Sequence, residues 1–317
     1  MDRAAQLEMV IERNRGELHA HCYRMLGSVH EADDALQDAL LSAWKARDGF
    51  EGRSSMVSWV YGIATNACLK IIAKREKRVT VSDYRAAAAP DAELDAMATD
   101  VPWIEPYPED PHASFEQREL VELAYIAALQ FLPGSQRAAL LLCEVIGFTA
   151  AQVAEMLDTT VAAITSALER ARANVATRIP PKSQQLTLRE LGDAGQRKLV
   201  AAFVDAWGRG DAKAIVALLA RDARFTMPPI PSWFLGRDDI ERFLTERVFA
   251  TPWRLVPLWA SGQLAFACYQ GPDFELGALN VLTLEGDEII EMTGFLDPAV
   301  HAFFSIRTDE FPAVPPS

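Results

Sequence analysis

The sequence predicts a multidomain chain of two all-α domains followed by a C-terminal α+β domain. Three observations predict it. Up to about residue 178, apolar residues recur at helical spacing and Gly or Pro stands where each run stops. Residues 81–113 interrupt that pattern with five prolines and a strong acidic excess. Beyond about residue 186, one or two helical runs give way to short β-like runs separated by turn signals, an α+β order. The 317 residues suit two or three domains, and 50% apolar with 24% charged residues is ordinary globular composition.

The elements follow in order. Residues 2–27 read as an amphipathic helix through Leu7, Val10, Ile11, Leu18, Cys22, Met25 and Leu26, stopped by Gly27. A second helix covers 30–46, with Leu36, Leu40, Leu41 and Trp44 as its expected apolar stripe. Residues 50–55 form a loop, and Ser55 caps a third helix that reaches about residue 77 and ends in Lys70, Lys74, Arg75, Lys77 and Arg78. Residues 81–113 have a composition that builds no core. Within them, residues 101–108 set Trp103 and Tyr107 among prolines, as in a docking segment, although a plain spacer has the same composition. Helices are expected over 114–132 and 135–146, with Pro133-Gly134 and Gly147 as breaks. After Pro180-Pro181, helices at 188–208 and 212–220 precede strands at 223–227, 254–259, 264–269, 276–284 and 288–295. The resulting division is 1–80, a linker at 81–113, 114–182, and 186–317.

Composition narrows the function. No apolar run reaches the roughly 18–20 residues of a membrane span, and the polar N-terminus is not a secretory signal. Cys22, Cys68, Cys143 and Cys268 lie far apart without Cys-x-x-Cys spacing, so no metal site or disulfide framework is signalled and a cytoplasmic location is expected. The net charge is −13, which argues against a protein that holds DNA alone. Its distribution is uneven: +1 over 1–80, −9 over 81–130, +1 over 131–182 and −6 over 183–317. Two near-neutral segments with basic ends flank an acidic one, which suits a DNA reader whose larger partner supplies the cationic channel. The acidic linker then stands either where that partner holds single-stranded nucleic acid, or over the basic ends at 70–78 and 170–178, or free as a solvated spacer.

The sharpest local signal is a helix-turn-helix at 149–176. Thr149 caps a short helix with the small Ala154, Asp158-Thr159-Thr160 turns the chain, and Val161, Ile164 and Leu168 are expected to face inward. Ala162, Thr165, Ser166, Glu169, Arg170 and Arg172 remain outward. Small polar residues early and arginines late match a helix whose start reaches base edges and whose end holds phosphates.

Several separated motifs together resemble the extracytoplasmic-function group of sigma-70-type sigma factors. Residues 23–28 and 30–38 resemble the start of their region two, and 58–69 its end. Leu132-Pro133, residues 136–140 and the helix-turn-helix to Arg172 resemble region four. The match covers about residues 5–178 in order and spacing. Asp34 and Asp38 stand where Glu is usual, Val60 where Leu is usual, and Glu169 where Gln is common. Residues 186–300 resemble the SnoaL-like, cone-shaped α+β domains that some members carry. Residues 103–108, Phe225-Thr226-Met227-Pro228-Pro229, Trp233 and Gly236-Arg237 also resemble that subgroup.

The resemblance implies three surfaces and two partners, core RNA polymerase and promoter DNA. Asp33, Asp34, Gln37 and Asp38 form an acidic stripe that is expected to dock on polymerase. Phe50, Trp59, Tyr61, Thr65 and Asn66 are expected to read and open the minus-ten element, while Lys70, Lys74, Arg75 and Arg78 hold its backbone; Trp59 also falls on the apolar face, so a core role stays open. Thr165, Ser166, Arg170 and Arg172 are expected at the minus-thirty-five element. In the C-terminal domain, Trp207, Phe225, Met227, Trp233, Trp259, Phe266 and Tyr269 either line a pocket for a small apolar ligand or fill the cone. Related folds catalyse with an Asp base. Asp205, Asp222, Tyr269 and Asp273 are the candidates here, His301 is the one histidine of this part, and no acid-base pair has recognisable spacing, so no catalytic residue, cofactor or metal is expected. The competing readings are a stand-alone helix-turn-helix regulator and a SnoaL-like enzyme fused to a DNA-binding module. A regulatory C-terminal domain acting within its own chain is preferred.

Overall fold

The computed structural model describes residues 3–52, 54–89, 91–108, 113–304 and 306. The helices are α1 (Arg3–Leu26), α2 (Val29–Ala46), α3 (Met56–Ile72), α4 (Val81–Tyr84), α5 (Phe115–Glu119), α6 (Leu123–Gln130) and α7 (Gly134–Leu140). They continue with α8 (Ala150–Met156), α9 (Val161–Ala176), α10 (Gln184–Gly208), α11 (Ala212–Val216), α12 (Arg237–Glu246) and α13 (Pro298–His301). The strands are β1 (Leu219–Met227), β2 (Ile230–Leu235), β3 (Trp253–Ala260), β4 (Gln263–Gln270), β5 (Glu275–Glu285) and β6 (Glu288–Phe295). The chain forms two compact units, Met1–Val79 with Leu123–Pro181 and Thr80–Glu122 with Lys182–Ser317.

In the first unit, α1, α2 and α3 pack as a bundle around Leu18, Cys22, Met25, Leu26, Val60, Ala64 and Cys68, all buried. Their starts obey local chemistry. Ser28 accepts from the Glu31 amide at 3.1 Å and Ser55 from the Ser58 amide at 3.0 Å, each satisfying a donor that lacks an intrahelical partner. Gly27 ends α1 at φ +71°, and a Cβ there would meet the Gln130 side chain at 3.1 Å, so glycine serves both conformation and space.

The inner face of α2 differs from the expected stripe. Its buried residues are Val29, Ala32, Ala35, Leu36, Ala39 and Ala43, while Leu41 and Trp44 are 52% and 43% exposed. Alanines at helical spacing let α1 and α3 approach closely, and dense packing against them takes precedence over hiding two larger side chains.

The same unit holds α6, α7, a π-type turn over Leu141–Val145, α8 and α9. Arg137 of α7 is buried and donates to the Met25 carbonyl, to Gln130 Oε1 at 2.7 Å, to the Gln130 carbonyl at 3.2 Å and to the Leu132 carbonyl at 3.1 Å. Burial lowers this guanidinium to about 9.

The second unit is built on a six-stranded sheet of order β2-β1-β6-β5-β4-β3, antiparallel except for the parallel pair β1–β6. α10, α11 and α12 supply Phe203, Trp207, Ile215, Ile240 and Phe243 to one core with Phe225, Phe234, Phe266 and Met292 from the strands. β2 and α12, with the short α4 and α13, are elements that the sequence pattern did not reveal. β2 carries Pro231, which a strand tolerates because β2 is at the edge of the sheet.

The acidic segment packs with this sheet. Ala88 and Leu94 pack against the core of the C-terminal domain, and Trp103 and Ile104 are buried. Backbone amides of Ala88 and Ala98 donate to the carbonyls of Trp233 and Pro229 at 2.8 and 2.9 Å. Asp95 bonds Ser232 Oγ at 2.6 Å, and Trp233 Nε1 donates to the Arg85 carbonyl at 2.9 Å. Tyr107 exchanges bonds with Ser261, at 2.9 Å from its amide and 2.7 Å to its carbonyl. Farther along, the expected helix over 114–132 breaks after Glu119. Glu122 turns away and accepts the Gln184 and Gln185 amides, both at 2.9 Å, at the start of α10.

Candidate nucleic-acid interface

The helix-turn-helix is set by its caps. Thr149 and Gln152 form a reciprocal capping box, with the Thr149 amide donating to Gln152 Oε1 at 2.9 Å and the Gln152 amide to Thr149 Oγ1 at 3.3 Å. Asp158 turns the chain at φ +49°, and Thr160 accepts from the Ala163 amide at 3.2 Å to start α9. Ile164, Ala167, Ala171 and Val175 face inward. Val161, expected inside, is 49% exposed, because the first residue of α9 precedes the turn that packs. Thr165 and Arg170 are exposed and Ser166 is half-buried; Ser166 Oγ accepts from Arg170 at 2.6 Å. Arg172 is ion-paired with Glu144. Glu169 is exposed beside them. Sequence reasoning missed Val161 as an outward apolar group.

The residues expected at the minus-ten element fall into three sets. Phe50 and Trp59 are half-buried and pack with ring centroids 5.2 Å apart. Lys70 and Lys74 are exposed, whereas Arg75 and Arg78 converge on Glu31 at 3.0 and 3.2 Å. Arg75 also donates to the Leu26 carbonyl at 2.7 Å. Tyr61, Thr65 and Asn66 lie along α3 but not on one surface. Thr65 is fully buried; its hydroxyl donates to the Tyr61 carbonyl at 2.7 Å and meets His21 Nε2 at 2.9 Å. It supports the bundle from inside and presents nothing to a ligand. Burial lowers His21 to about 3, so its ring is neutral at physiological pH. Tyr61 is also buried, edge-on to His21 and to Phe148, each at 5.5 Å. Asn66 is exposed and donates to the Met156 carbonyl at 3.3 Å.

On α2, Asp33, Asp34, Gln37 and Asp38 are all exposed. Leu41 and Trp44 continue the row set by Asp34, Gln37 and Asp38 at steps of three and four, so one face is acidic at its start and apolar at its end. An exposed Leu and Trp on a helix that hides its alanines is the signal that sequence periodicity obscured.

Comparison with known proteins agrees with this geometry. Residues 10–78 match the model of Sigma-70 region 2, residues 122–175 that of Sigma-70, region 4, and residues 200–292 that of the SnoaL-like domain. The chain is 36% identical over 317 residues to the ECF RNA polymerase sigma factor SigG of Mycobacterium tuberculosis, covering 96% of this chain and 85% of that one. The chain belongs to the extracytoplasmic-function sigma factors. The ECF RNA polymerase sigma-E factor of Escherichia coli is 27% identical over 151 residues, 48% of this sigma factor and 75% of that one. The crystal structure of the M. tuberculosis sigma factor SigJ shares the fold, with a TM-score of 0.57 at 18% identity over 94% of this chain and 99% of that chain. As a sigma factor the protein binds core RNA polymerase and promoter DNA, and it is not an enzyme.

In the SnoaL-like domain of this sigma factor, Trp207, Phe225, Met227, Phe266 and Tyr269 are buried. Their neighbours are other rings. Phe203 meets Phe266 at 4.7 Å, Trp207 meets Phe249 at 5.3 Å and Trp253 at 5.6 Å, and Phe225 meets Phe243 at 5.7 Å. Trp233 is buried under the acidic segment through its bond to Arg85. Trp259 stands apart and lines an open groove of about 860 Å³ with Val200, Val204, Leu258 and Leu264, rimmed by Asp193, Arg197 and Asp205. Asp222 and Asp273 are exposed, Asp205 pairs with Arg209 at 2.8 Å, and His301 bonds the Phe295 carbonyl at 2.7 Å. Among the described residues no cluster of His, Cys, Asp and Glu fits a metal ion, and no helix is long and apolar enough to cross a membrane.

Proposed function

We propose that this sigma factor is regulated by its own SnoaL-like domain, which holds the segment between regions two and four as a strap. The observation that carries the reading is the strap's bonding to that domain. Ala88 and Leu94 pack against the core of the domain, and Asp95, Tyr107 and Glu122 are each fixed by hydrogen bonds to its residues. A segment held this way is withheld from polymerase, or delivered to it, according to the state of the domain. The groove beside Trp259 is the place for a small apolar effector, since aromatic rings occupy the interior of the cone.

Three surfaces carry initiation. The face of α2 docks on polymerase through Asp33, Asp34, Gln37 and Asp38, with Leu41 and Trp44 as apolar anchors inside the charged rim. Phe50, Trp59, Tyr61, Asn66, Lys70 and Lys74 serve the minus-ten element, and Arg75 and Arg78 reach its backbone once released from Glu31. Thr165, Ser166, Arg170 and Arg172 serve the minus-thirty-five element, with Val161 placed for a thymine methyl.

The test is run-off transcription from a promoter library with core polymerase, comparing the native chain with a strap-release variant, Ser232→Ala with Ser261→Ala. Limited proteolysis within 85–108 verifies release. A change in initiation supports regulation within the chain, and its sign tells restraint from assistance. Equal initiation by both chains, with the strap demonstrably released, refutes the regulatory reading.

A further inference from the structure

Region four leaves the second unit after Glu122, where α6 starts at Leu123, and rejoins it after Pro181. Both of its stems are tied together inside the second unit. The Glu122 carboxylate takes one amide on each oxygen, Gln184 on Oε2 and Gln185 on Oε1, both at 2.9 Å. Nearby, Glu119 Oε1 accepts the Ser183 hydroxyl. Arg189 of α10 lies 4.2 Å over the ring of Phe115 in α5. The tied stems are joined in turn to the sheet. Gln184 exchanges two bonds with the backbone of Leu284 in β5, 2.9 Å from Nε2 to the carbonyl and 2.7 Å from the amide to Oε1. Gln185 Nε2 donates to the Gly262 carbonyl beside β4. Gly262 has φ +65°, and a Cβ there would lie 2.6 Å from the Arg118 carbonyl oxygen, so the outgoing stem rests on a position that glycine alone fills without strain. Neither stem has slack. No residue separates Glu122 from α6, and residues 177–183 join α9 to α10. In that join the Arg178 and Ile179 amides both donate to the Val175 carbonyl, at 2.8 and 3.1 Å, and Pro180-Pro181 fix two φ angles.

We infer that Glu122 and its partners set the promoter spacing this sigma factor accepts, by anchoring both stems of region four at one point on the SnoaL-like domain. A body on one flexible tether explores a volume that grows with the tether, whereas two short stems with a common anchor leave rotation about that anchor and little translation. Each base pair added to the spacer moves the minus-thirty-five element about 3.4 Å along the duplex and about 35° around it. Region four follows such a screw only by translating and turning together, which the clasp resists. Glu122 is thus a positioning residue: it touches no DNA and acts through the reach of Thr165, Ser166, Arg170 and Arg172. The inference rests on the assignment of those residues to the minus-thirty-five element. It is independent of strap release, because the Ser232 and Ser261 hydroxyls bond Asp95 and Tyr107 and take no part in the clasp.

The test is run-off transcription by core polymerase with the full chain, on a promoter from the selected library whose spacer is shortened or lengthened by one and two base pairs. Two variants loosen region four by different routes. Glu122→Ala opens the clasp. Insertion of Gly-Ser-Gly-Ser between Pro181 and Lys182 keeps every bond of the clasp and gives the returning stem about 13 Å of added reach. The insertion decides the matter if tryptophan fluorescence shows Glu122→Ala unfolded. The same insert after Pro272, in an exposed turn, is the control. The native chain and the control should prefer one spacer length. In both variants the ratio of initiation at that length to initiation one base pair away should fall about fivefold, the factor that about one net hydrogen bond controls. Equal losses at every spacer length, with the ratio unchanged, would mean a purely structural clasp and overturn the inference. An unchanged ratio in the insertion variant overturns it as well. A native chain indifferent to spacer length, while Thr165→Ala still relaxes the minus-thirty-five preference, overturns the spacing role alone. Indifference with no effect of Thr165→Ala overturns the assignment of that element, and the inference falls with it.

Discussion

Glu122→Gln tests the clasp at which the strap meets α10. Glu122 is 5% exposed and accepts two amides, Gln184 and Gln185, that no helical carbonyl can satisfy. Burial raises its carboxyl from 4.5 to about 7, more than the two amide bonds lower it, and Glu119 adds to the rise. A folded-state value above the unfolded one means that the folded protein holds the proton more tightly between those two values. The stabilisation is therefore complete below about pH 4.5 and is lost as pH rises through about 7. At 1.36 kcal/mol per tenfold, the loss is about 3 kcal/mol between pH 5 and 8. Glutamine stays neutral throughout and keeps an acceptor, so its variant should lack this slope. Urea denaturation followed by tryptophan fluorescence measures it, because Trp103, Trp207, Trp233, Trp253 and Trp259, five of the seven tryptophans, lie in the unit that contains Glu122. The difference between native and variant profiles removes the contribution of other carboxyls. Parallel profiles from pH 5 to 8 would refute the reasoning.

Three other outcomes follow from particular contacts. Trp103→Ala removes a buried indole that donates to the Ala98 carbonyl at 2.8 Å and packs on Tyr84 at 5.1 Å, and should cost about 3–5 kcal/mol and admit protease to the strap. Trp44→Ala, at a site 43% exposed, should leave the melting temperature within a degree or two but weaken core polymerase binding about tenfold, read by fluorescence anisotropy. In a promoter-selection assay, Thr165→Ala should relax preference at one position of the minus-thirty-five element by about 1–3 kcal/mol, whereas Arg170→Ala should weaken all promoters alike and reduce the salt dependence of binding.

Much of the helical part was legible because its signals are local. Ser28, Ser55, Thr149 and Thr160 cap helices within three residues of themselves, and the helix-turn-helix stands where those caps and Asp158 put it. The strands β3 to β6 were likewise readable from alternation and tight turns. β2 escaped because Pro231 argues against a strand until the strand is known to be an edge, and α12 escaped because only Ile240, Phe243 and Leu244 among its ten residues are buried. Thr65 and Tyr61 were read as base contacts from the family resemblance and from the chemistry of their side chains. Their burial depends on His21 in α1 and Phe148 in another region, which no local window contains.

The sequence by itself determined the order of the domains, the caps of α3, α8 and α9 and the sigma-factor family, since caps and motifs act over a few residues. Tertiary structure decided which face of α2 is left outward, where the acidic segment rests and what covers Gly62, Asn66 and Leu69 on α3. Each of those depends on pairings between residues distant in the chain: alanines against two neighbouring helices, Asp95 against Ser232, Asn66 against Met156. Such contacts form only when the closeness of packing outweighs the entropy of bringing remote segments together, and that balance is a property of the assembled fold.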